Sequence, residues 1–199
     1  MRLPRARRVH WPMARSNSTM KHKQADSGRP LVAISSCLLG ENVRYDGGHK
    51  RDTCIAQYLS AHVDWKPVCP EVGAGLGVPR PRVQLVGDRD RPAALGVEDS
   101  RLDVTAALYD YAQRELQALQ GVSGYVFKSK SPSCGLVDTP LFDINGHETE
   151  LTSGIFARIK TALPGLPVID ELQLCEATRR DLFLQQVMAY WQLHKATGP

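Results

Sequence analysis

Pro30-Leu31-Val32-Ala33-Ile34-Ser35-Ser36-Cys37-Leu38-Leu39-Gly40 is a short apolar run of buried-strand type that breaks at a cysteine and a glycine. Two other runs end in a similar way. Trp65 to Val68 leads straight to Cys69, and Gly124 to Phe127 lies shortly before Cys134. In open α/β sheets, ligands bind outside the carboxyl ends of parallel strands. Three thiols from three strand ends can therefore meet, although 31 and 64 residues lie between them in sequence. Soft ligands around one point suit a metal or cluster with an open coordination position. The competing reading is three unrelated buried cysteines, because free Cys is among the most buried residue types.

Outward from these runs, strands and helices alternate. Leu31 to Ser35 reads as the first strand, followed by the loop Gly40-Glu41-Asn42-Val43-Arg44-Tyr45-Asp46-Gly47-Gly48. Cys54 to His62 has helical spacing, with Ile55, Tyr58, Leu59 and Val63 recurring at three and four residues. Lys66 to Val68 leads into Cys69-Pro70-Glu71 and a loop with Gly73, Gly75 and Gly77 that ends at Pro79-Arg80-Pro81-Arg82. Val83 to Val86 and Ala93 to Val97, separated by a polar turn, predict a hairpin. Asp103 is placed to cap a helix running to about Leu119, with Gly121 as its stop. Tyr125 to Phe127 is the next strand, Ser153 to Leu163 a helix, and Leu166 to Ile169 another strand. Ala177 to about Leu193 is a terminal helix, whose Phe183, Tyr190 and Trp191 are expected to pack onto the body. The pattern predicts the α/β class: a parallel-sheet, Rossmann-like three-layer sandwich with a small β-hairpin insertion.

The 199 residues are enough for one domain with a sizeable core. The net charge of +4 is unevenly distributed: eight of the 25 Lys and Arg, but only one of the 21 acids, Asp26, fall in residues 1–29. That leaves 17 basic and 20 acidic residues in positions 30–199, a mildly acidic body near −3. Residues 1–29 are expected to form a basic disordered leader and residues 30–199 a single α/β domain. The leader lacks the apolar run of a secretory signal, although it is a possible arm for RNA contact. No run of 18 apolar residues occurs, so no membrane span is expected. Five cysteines, an odd number without a dense framework of close spacings, argue against a disulfide scaffold and for a reducing cytoplasm.

Three motifs together resemble the thiouracil desulfurase family. They are Ser36-Cys37-Leu38-Leu39-Gly40 with Arg44-Tyr45-Asp46-Gly47-Gly48; Cys69-Pro70-Glu71-Val72 with Gly75-Leu76 and Pro79-Arg80; and Lys128-Ser129-Lys130-Ser131-Pro132-Ser133-Cys134-Gly135. They span roughly residues 31–171 in the family's order, and three long motifs are far more specific than a lone Cys pattern. The resemblance implies a 4Fe-4S cluster held by three thiolates matching Cys37, Cys69 and Cys134, with the fourth iron open to substrate sulfur. It further implies non-redox hydrolysis of a thiolated base or nucleoside, with Glu71 and Ser131 matching the catalytic glutamate and serine. The family acts on free thiolated bases and on thiolated nucleosides of RNA origin, and the motifs do not name the acceptor of the released sulfide.

Read from the residues alone, each candidate also has a plainer role. Glu71 is anchored two residues past Cys69 and is suited to general acid/base work, or equally to a loop salt bridge with Arg80 or Arg82. Ser131 could orient water or hydrogen-bond the substrate, with Ser133 as its neighbouring alternative, and Ser-Pro-Ser is also a common turn composition. Asp46 with Gly47 and Gly48 reads first as a tight turn and second as a substrate-binding residue. Lys128, Lys130, Arg44 and Arg80 could bind a phosphate or offset the charge of an anionic cluster, and solvated surface charge is the default for each. Cys54 and Cys175 fall in no motif and read as structural.

Rival functions are weaker on the same residues. A zinc deaminase requires a P-C-x-x-C pair and an H-x-E, and neither occurs. A persulfide relay requires one exposed cysteine of low pKa. A non-catalytic iron-sulfur sensor, or an RNA-binding module with the leader as its arm, is the alternative from another class; the acidic body argues against extensive nucleic-acid contact.

Overall fold

The computed structural model describes residues 28–196. The leader assigned to residues 1–29 therefore lies outside the described residues, apart from its last two. Eight strands form two sheets of four. In order of sequence they are β1 Leu31–Ser35, β2 Asp64–Val68, β3 Val83–Val86, β4 Ala93–Gly96, β5 Tyr125–Phe127, β6 Thr139–Phe142, β7 Glu148–Thr152 and β8 Val168–Asp170. The helices are α1 Pro70–Gly73, α2 Thr105–Ala118, α3 Glu171–Leu174 and α4 Ala177–Ala196. Short tight turns occupy Ser36–Leu39 and Phe156–Ala162, and a wide turn occupies Ile55–Leu59.

The first sheet runs β2-β1-β5-β8 and its pairs are all parallel. Both faces are covered, and the central strands β1 and β5 are buried at nearly every position, as parallel strands usually are. On one face Ala33, Tyr125 and Phe127 meet Ala112 of α2 and Phe156, with the Tyr125 and Phe127 rings stacked at 3.8 Å between centroids. On the other face Val32, Ile34, Val126 and Ile169 meet Ile55, Leu59, Phe183 and Val187. The three-layer α/β arrangement is the expected one. Gly124 shows how tightly α4 docks: a Cβ there would lie 2.7 Å from Val187 Cγ2.

The second sheet, β4-β3-β6-β7, is larger than the expected hairpin insertion. The β3–β4 hairpin forms in the predicted place, pairing Val83 with Gly96 and Val86 with Ala93. It is extended by β6, parallel to β3, and by β7, antiparallel to β6. Leu85, Ala94 and Leu141 then pack on Val104 and Leu108 at the start of α2, so that helix serves both cores. Glu148 opens strand β7.

Two helices are shorter than their sequence spacing suggests. The segment expected to be helical over 54–62 keeps only Ile55–Leu59 as a single wide turn, and the one expected over 153–163 is the tight turn Phe156–Ala162. The N-cap of α2 is Val104, not the expected Asp103; Asp103 sits one residue earlier, and its Oδ1 accepts the Thr105 N–H at 2.9 Å. Tyr190 and Trp191 remain half-buried. Tyr190 stacks on His194 and Trp191 lies under Lys195, while Phe183 and Val187 do the packing of α4.

Candidate active site

Register places the site. β1 and β2 pair Ser35 with Val68, and β5 and β8 pair Phe127 with Asp170. The β1–β5 pairing Ala33 to Tyr125 and Ile34 to Val126 brings those two rows into line. The next residues along each strand, Ser36-Cys37, Cys69, Lys128 and Glu171, thus emerge at one edge. β1 connects to β2 on one side, and the chain returns to β5 on its other side. This is the topological switch point at which α/β sheets open a crevice.

A cavity of about 370 Å³ lies there, and Cys37, Cys69 and Cys134 all line it. Burial pushes the Cys37 thiol up to about 11, with the neighbouring Cys69 as the next cause. Burial likewise raises Cys69 and Cys134, and Cys134 is further raised by Cys69 and Cys37. As free groups all three are thiols at neutral pH. Among the described residues no group of three or more His, Cys, Asp or Glu side chains is gathered so as to hold a metal ion.

Glu71 follows Cys69 in the single turn of α1 and lines the same wall. Its Oε2 pairs with Arg80 Nε at 2.7 Å, and its Oε1 accepts from Ser133 Oγ at 2.9 Å. Arg80 is only 5% exposed and also donates to the carbonyls of Gly77 and Val43, both at 2.9 Å. The plainer reading of Glu71 as a salt-bridged carboxylate is therefore present in the structure, but the bridge lies inside the cavity wall and holds the carboxylate there.

Ser131 also lines the cavity, and its Oγ accepts the backbone N–H groups of Cys134 at 3.0 Å and Ser133 at 3.3 Å. Ser133 is fully buried, lies outside the lining, and directs its hydroxyl to Glu71. Asp46 is not brought to the wall. Its Oδ1 accepts the Gly48 N–H at 2.9 Å, and that bond holds its carboxyl below the ordinary value. The same turn carries Arg44 and Tyr45 into the lining.

The residues 131–135 that carry Cys134 are held by backbone. Gly154 donates to Gly135 O at 2.8 Å, Ile155 to Pro132 O at 3.0 Å and Ala157 to Ser133 O at 3.1 Å. Gly154 permits this approach, since a Cβ there would lie 2.5 Å from the Ser133 carbonyl.

Charge around the cavity is one-sided. Arg44, Lys50, Arg80, Arg82, Lys128 and Lys130 line it against a single acid, Glu71. Sequence reasoning passed over Glu171, whose side chain is 8% exposed. Its carboxylate accepts from Lys128 Nζ and Ser129 Oγ, and from Ser129 N at 2.7 Å. Those donors outweigh the effect of burial and hold the Glu171 carboxyl below its ordinary value. A signal was available in the sequence: Asp170-Glu171 directly follows an apolar strand, at the sheet edge where Lys128 emerges.

Comparisons with known proteins agree with these motifs. A family model described as 2-thiouracil desulfurase matches residues 32–171. The uncharacterized protein YbbK of Bacillus subtilis (strain 168) is 31% identical over 114 residues, a stretch covering 53% of this chain and 73% of that protein. A solved structure of a 4Fe-4S-dependent thiouracil desulfidase, TudS, superposes with a TM-score of 0.58 at 29% identity, over 75% of this chain and 96% of that one.

Proposed function

The chain belongs to the 2-thiouracil desulfurase family, and from that premise we propose that it removes sulfur from a thiolated nucleobase or nucleoside of 2- or 4-thiouracil type by non-redox hydrolysis. We infer that Cys37, Cys69 and Cys134 hold a 4Fe-4S cluster with one iron open. The observation that carries this reading is three thiols on the wall of one cavity, with a clamped carboxylate two residues from one of them.

The donor set fits the group. Three cysteine thiolates are ligands that iron-sulfur clusters take, and Arg44, Lys50, Arg82 and Lys130 on the cavity wall would offset the charge of an anionic cluster. When bound, such a cluster supplies a thiophilic, Lewis-acidic iron for the substrate's C=S sulfur.

The chain's own residues supply positioning and proton transfer. Arg80 and Ser133 each hold one oxygen of Glu71, fixing the carboxylate on the wall, where it takes a proton from attacking water and returns one to the base nitrogen or the departing sulfur. The Ser131 oxygen is fixed by two N–H donors, so its hydroxyl proton is directed to whatever enters the cavity. Ser133 acts through Glu71. Asp46 acts through the turn that presents Arg44 and Tyr45. The overall balance is thiocarbonyl plus water to carbonyl, hydrosulfide and a proton, with no net electron transfer.

The test is one sample of protein reconstituted without oxygen, assayed for iron and acid-labile sulfide and then given 2-thiouracil. Near-stoichiometric iron and sulfide with loss of thiobase absorption is the expected result. A cluster with no turnover on any thiolated base or nucleoside would indicate a sensor, and zinc or no metal would refute the cluster assignment.

A further inference from the structure

The cavity carries more positive charge than its acids use. Of the six basic side chains that line it, Arg80 is paired with Glu71, Lys128 with Glu171, and Arg44 Nε lies 3.7 Å from Asp46 Oδ1. Lys50, Arg82 and Lys130 form no ion pair among the described residues. Tyr45, itself in the lining, keeps two guanidinium groups at the wall, Arg44 at 5.3 Å and Arg82 at 5.7 Å from its ring centroid. Lys130 is held there against backbone preference. Its φ of 53° lies in the left-handed region, which glycine occupies at far less cost than lysine. Both carboxylate oxygens of Asp138 accept its N–H, at 3.0 and 3.1 Å, and fix that conformation. A strained position beside Ser131 that nevertheless carries a lysine points to a use for the ammonium. A 4Fe-4S cluster on three thiolates carries about one net negative charge in its common oxidised state, which a single cation balances. The cavity then remains cationic.

We propose that the cavity takes its thiolated base as the ring anion, deprotonated at nitrogen, and that Lys130 is a substrate-binding residue for that anion. The inference rests on the desulfurase reading and specifies the ionisation state of its substrate. Thiouracils and thiouridines are weak N–H acids that ionise just above neutral pH, with the negative charge spread onto sulfur. Their oxo products are weaker acids and stay neutral there. Substrate and product differ by one atom, so shape alone separates them poorly. Charge separates them well, and a cationic wall favours the substrate over the product it has just made. The balance closes without an added proton. Water oxygen bonds to the ring carbon, the C–S bond breaks and its electron pair leaves on sulfur. One water proton passes through Glu71 to the ring nitrogen and the other ends on the hydrosulfide. Thiobase anion plus water thus gives neutral oxo base plus hydrosulfide, and nothing is oxidised or reduced.

The test uses reconstituted protein and whichever of 2-thiouracil and 4-thiouridine it turns over faster, together with the 5-fluoro derivative, whose N–H is more acidic, and the fully N-methylated derivative, which cannot ionise. The expected kcat/KM rises with pH up to the substrate's own ionisation, rises at lower pH for the fluorinated substrate, and falls by at least about tenfold for the methylated one. Binding is read without turnover on the Glu71→Gln protein: below its ionisation in water, the bound base should show the absorption of its anion. Lys130→Gly should melt at a higher temperature and keep its iron, yet bind the thiobase about tenfold more weakly while binding of the oxo product is unchanged. A pH profile that ignores the fluorine, a bound base with the neutral spectrum, or equal use of the methylated substrate overturns the inference and leaves the desulfurase reading standing. A loaded cluster that turns over no thiolated base fails that reading instead, and the bound spectrum then decides the inference alone.

Discussion

Replacing Glu171 tests whether the sheet edge beneath the cavity is held by a buried charge pair. Its carboxylate has three protein donors, two from Ser129 and one from Lys128, and Lys128 itself is only 19% exposed. Removing one partner of a buried pair costs about 3–5 kcal/mol, mostly because the other charge is left uncompensated. Lys128 would keep the Ser129 carbonyl and hydroxyl as acceptors, each at 3.0 Å, so the lower end applies to Glu171→Ala, about 3 kcal/mol. With a urea m-value of about 2 kcal/mol/M for a chain of this size, the midpoint should fall by roughly 1.5 M at unchanged m. Lys128→Met combined with Glu171→Gln removes both charges and should be less destabilised than the sum of the single variants. The pH dependence has a definite sign. Burial alone would raise the Glu171 carboxyl, but the Lys128 and Ser129 donors outweigh it and the folded value lies below the ordinary 4.5. The pair's contribution is therefore complete above pH 4.5 and is lost as the pH falls through the lower folded value. The wild type should lose more stability between pH 7 and acid than Glu171→Gln does. A loss under about 1 kcal/mol for Glu171→Ala, or strictly additive singles, would refute the reasoning.

Three other perturbations address the site itself. Cys37→Ala, Cys69→Ala and Cys134→Ala should each abolish iron retention after reconstitution while Cys54→Ala and Cys175→Ala retain it, and equal iron in all five would remove the three-cysteine assignment. Glu71→Gln should keep iron and sulfide and lose at least about 100-fold in turnover of 2-thiouracil, the scale of a positioned acid/base group; full activity would take Glu71 out of the chemistry. Gly154→Ala would place its Cβ 2.5 Å from the Ser133 carbonyl and 2.9 Å from Cys134 N, rigid backbone that cannot yield cheaply. We expect about 1–3 kcal/mol of destabilisation by thermal unfolding, together with reduced iron content. Gly121→Ala, which meets nothing within 4 Å, is the neutral control.

The parallel sheet was legible because its central strands, Leu31 to Ser35 and Tyr125 to Phe127, are buried on both faces and read as largely apolar runs. β6 and β7 were not. Thr139-Pro140-Leu141-Phe142 contains a proline, and Glu148-Thr149-Glu150-Leu151-Thr152 is exposed at four of its five positions. Their pairing depends on β3, more than 50 residues upstream, and not on local propensity. The Asn145-Gly146 step between them was the usable signal, a turn dipeptide with Gly146 at φ 84°. The two shortened helices show the opposite failure. Ile55, Leu59, Phe156 and Ile159 are buried as their spacing requires, but that spacing fits one or two wide or tight turns as well as a full helix. At the site, the cysteines and Glu71 were readable from motif position. Glu171 was not, because its importance arises only when register sets β8 beside β5.

The second sheet accounts for features the cysteines alone cannot provide. The strand ends of the first sheet supply Cys37 and Cys69, but Cys134 comes from a loop that needs an outside support. Residues 154–157, immediately after β7, give that support through three backbone hydrogen bonds. The approach to β3 supplies Arg80, which is nearly buried and fixes both the Glu71 carboxylate and the Val43 carbonyl. Val43 O also accepts from Cys69 Sγ at 3.8 Å, so one carbonyl joins the Arg80 clamp to a proposed cluster ligand. Residues that place the proposed proton carrier and residues that place the proposed ligands thus come from both sheets and meet only at the cavity. This predicts coupling: damage to the β6–β7 hairpin should loosen Cys134 first and leave Cys37, carried directly by β1, in place.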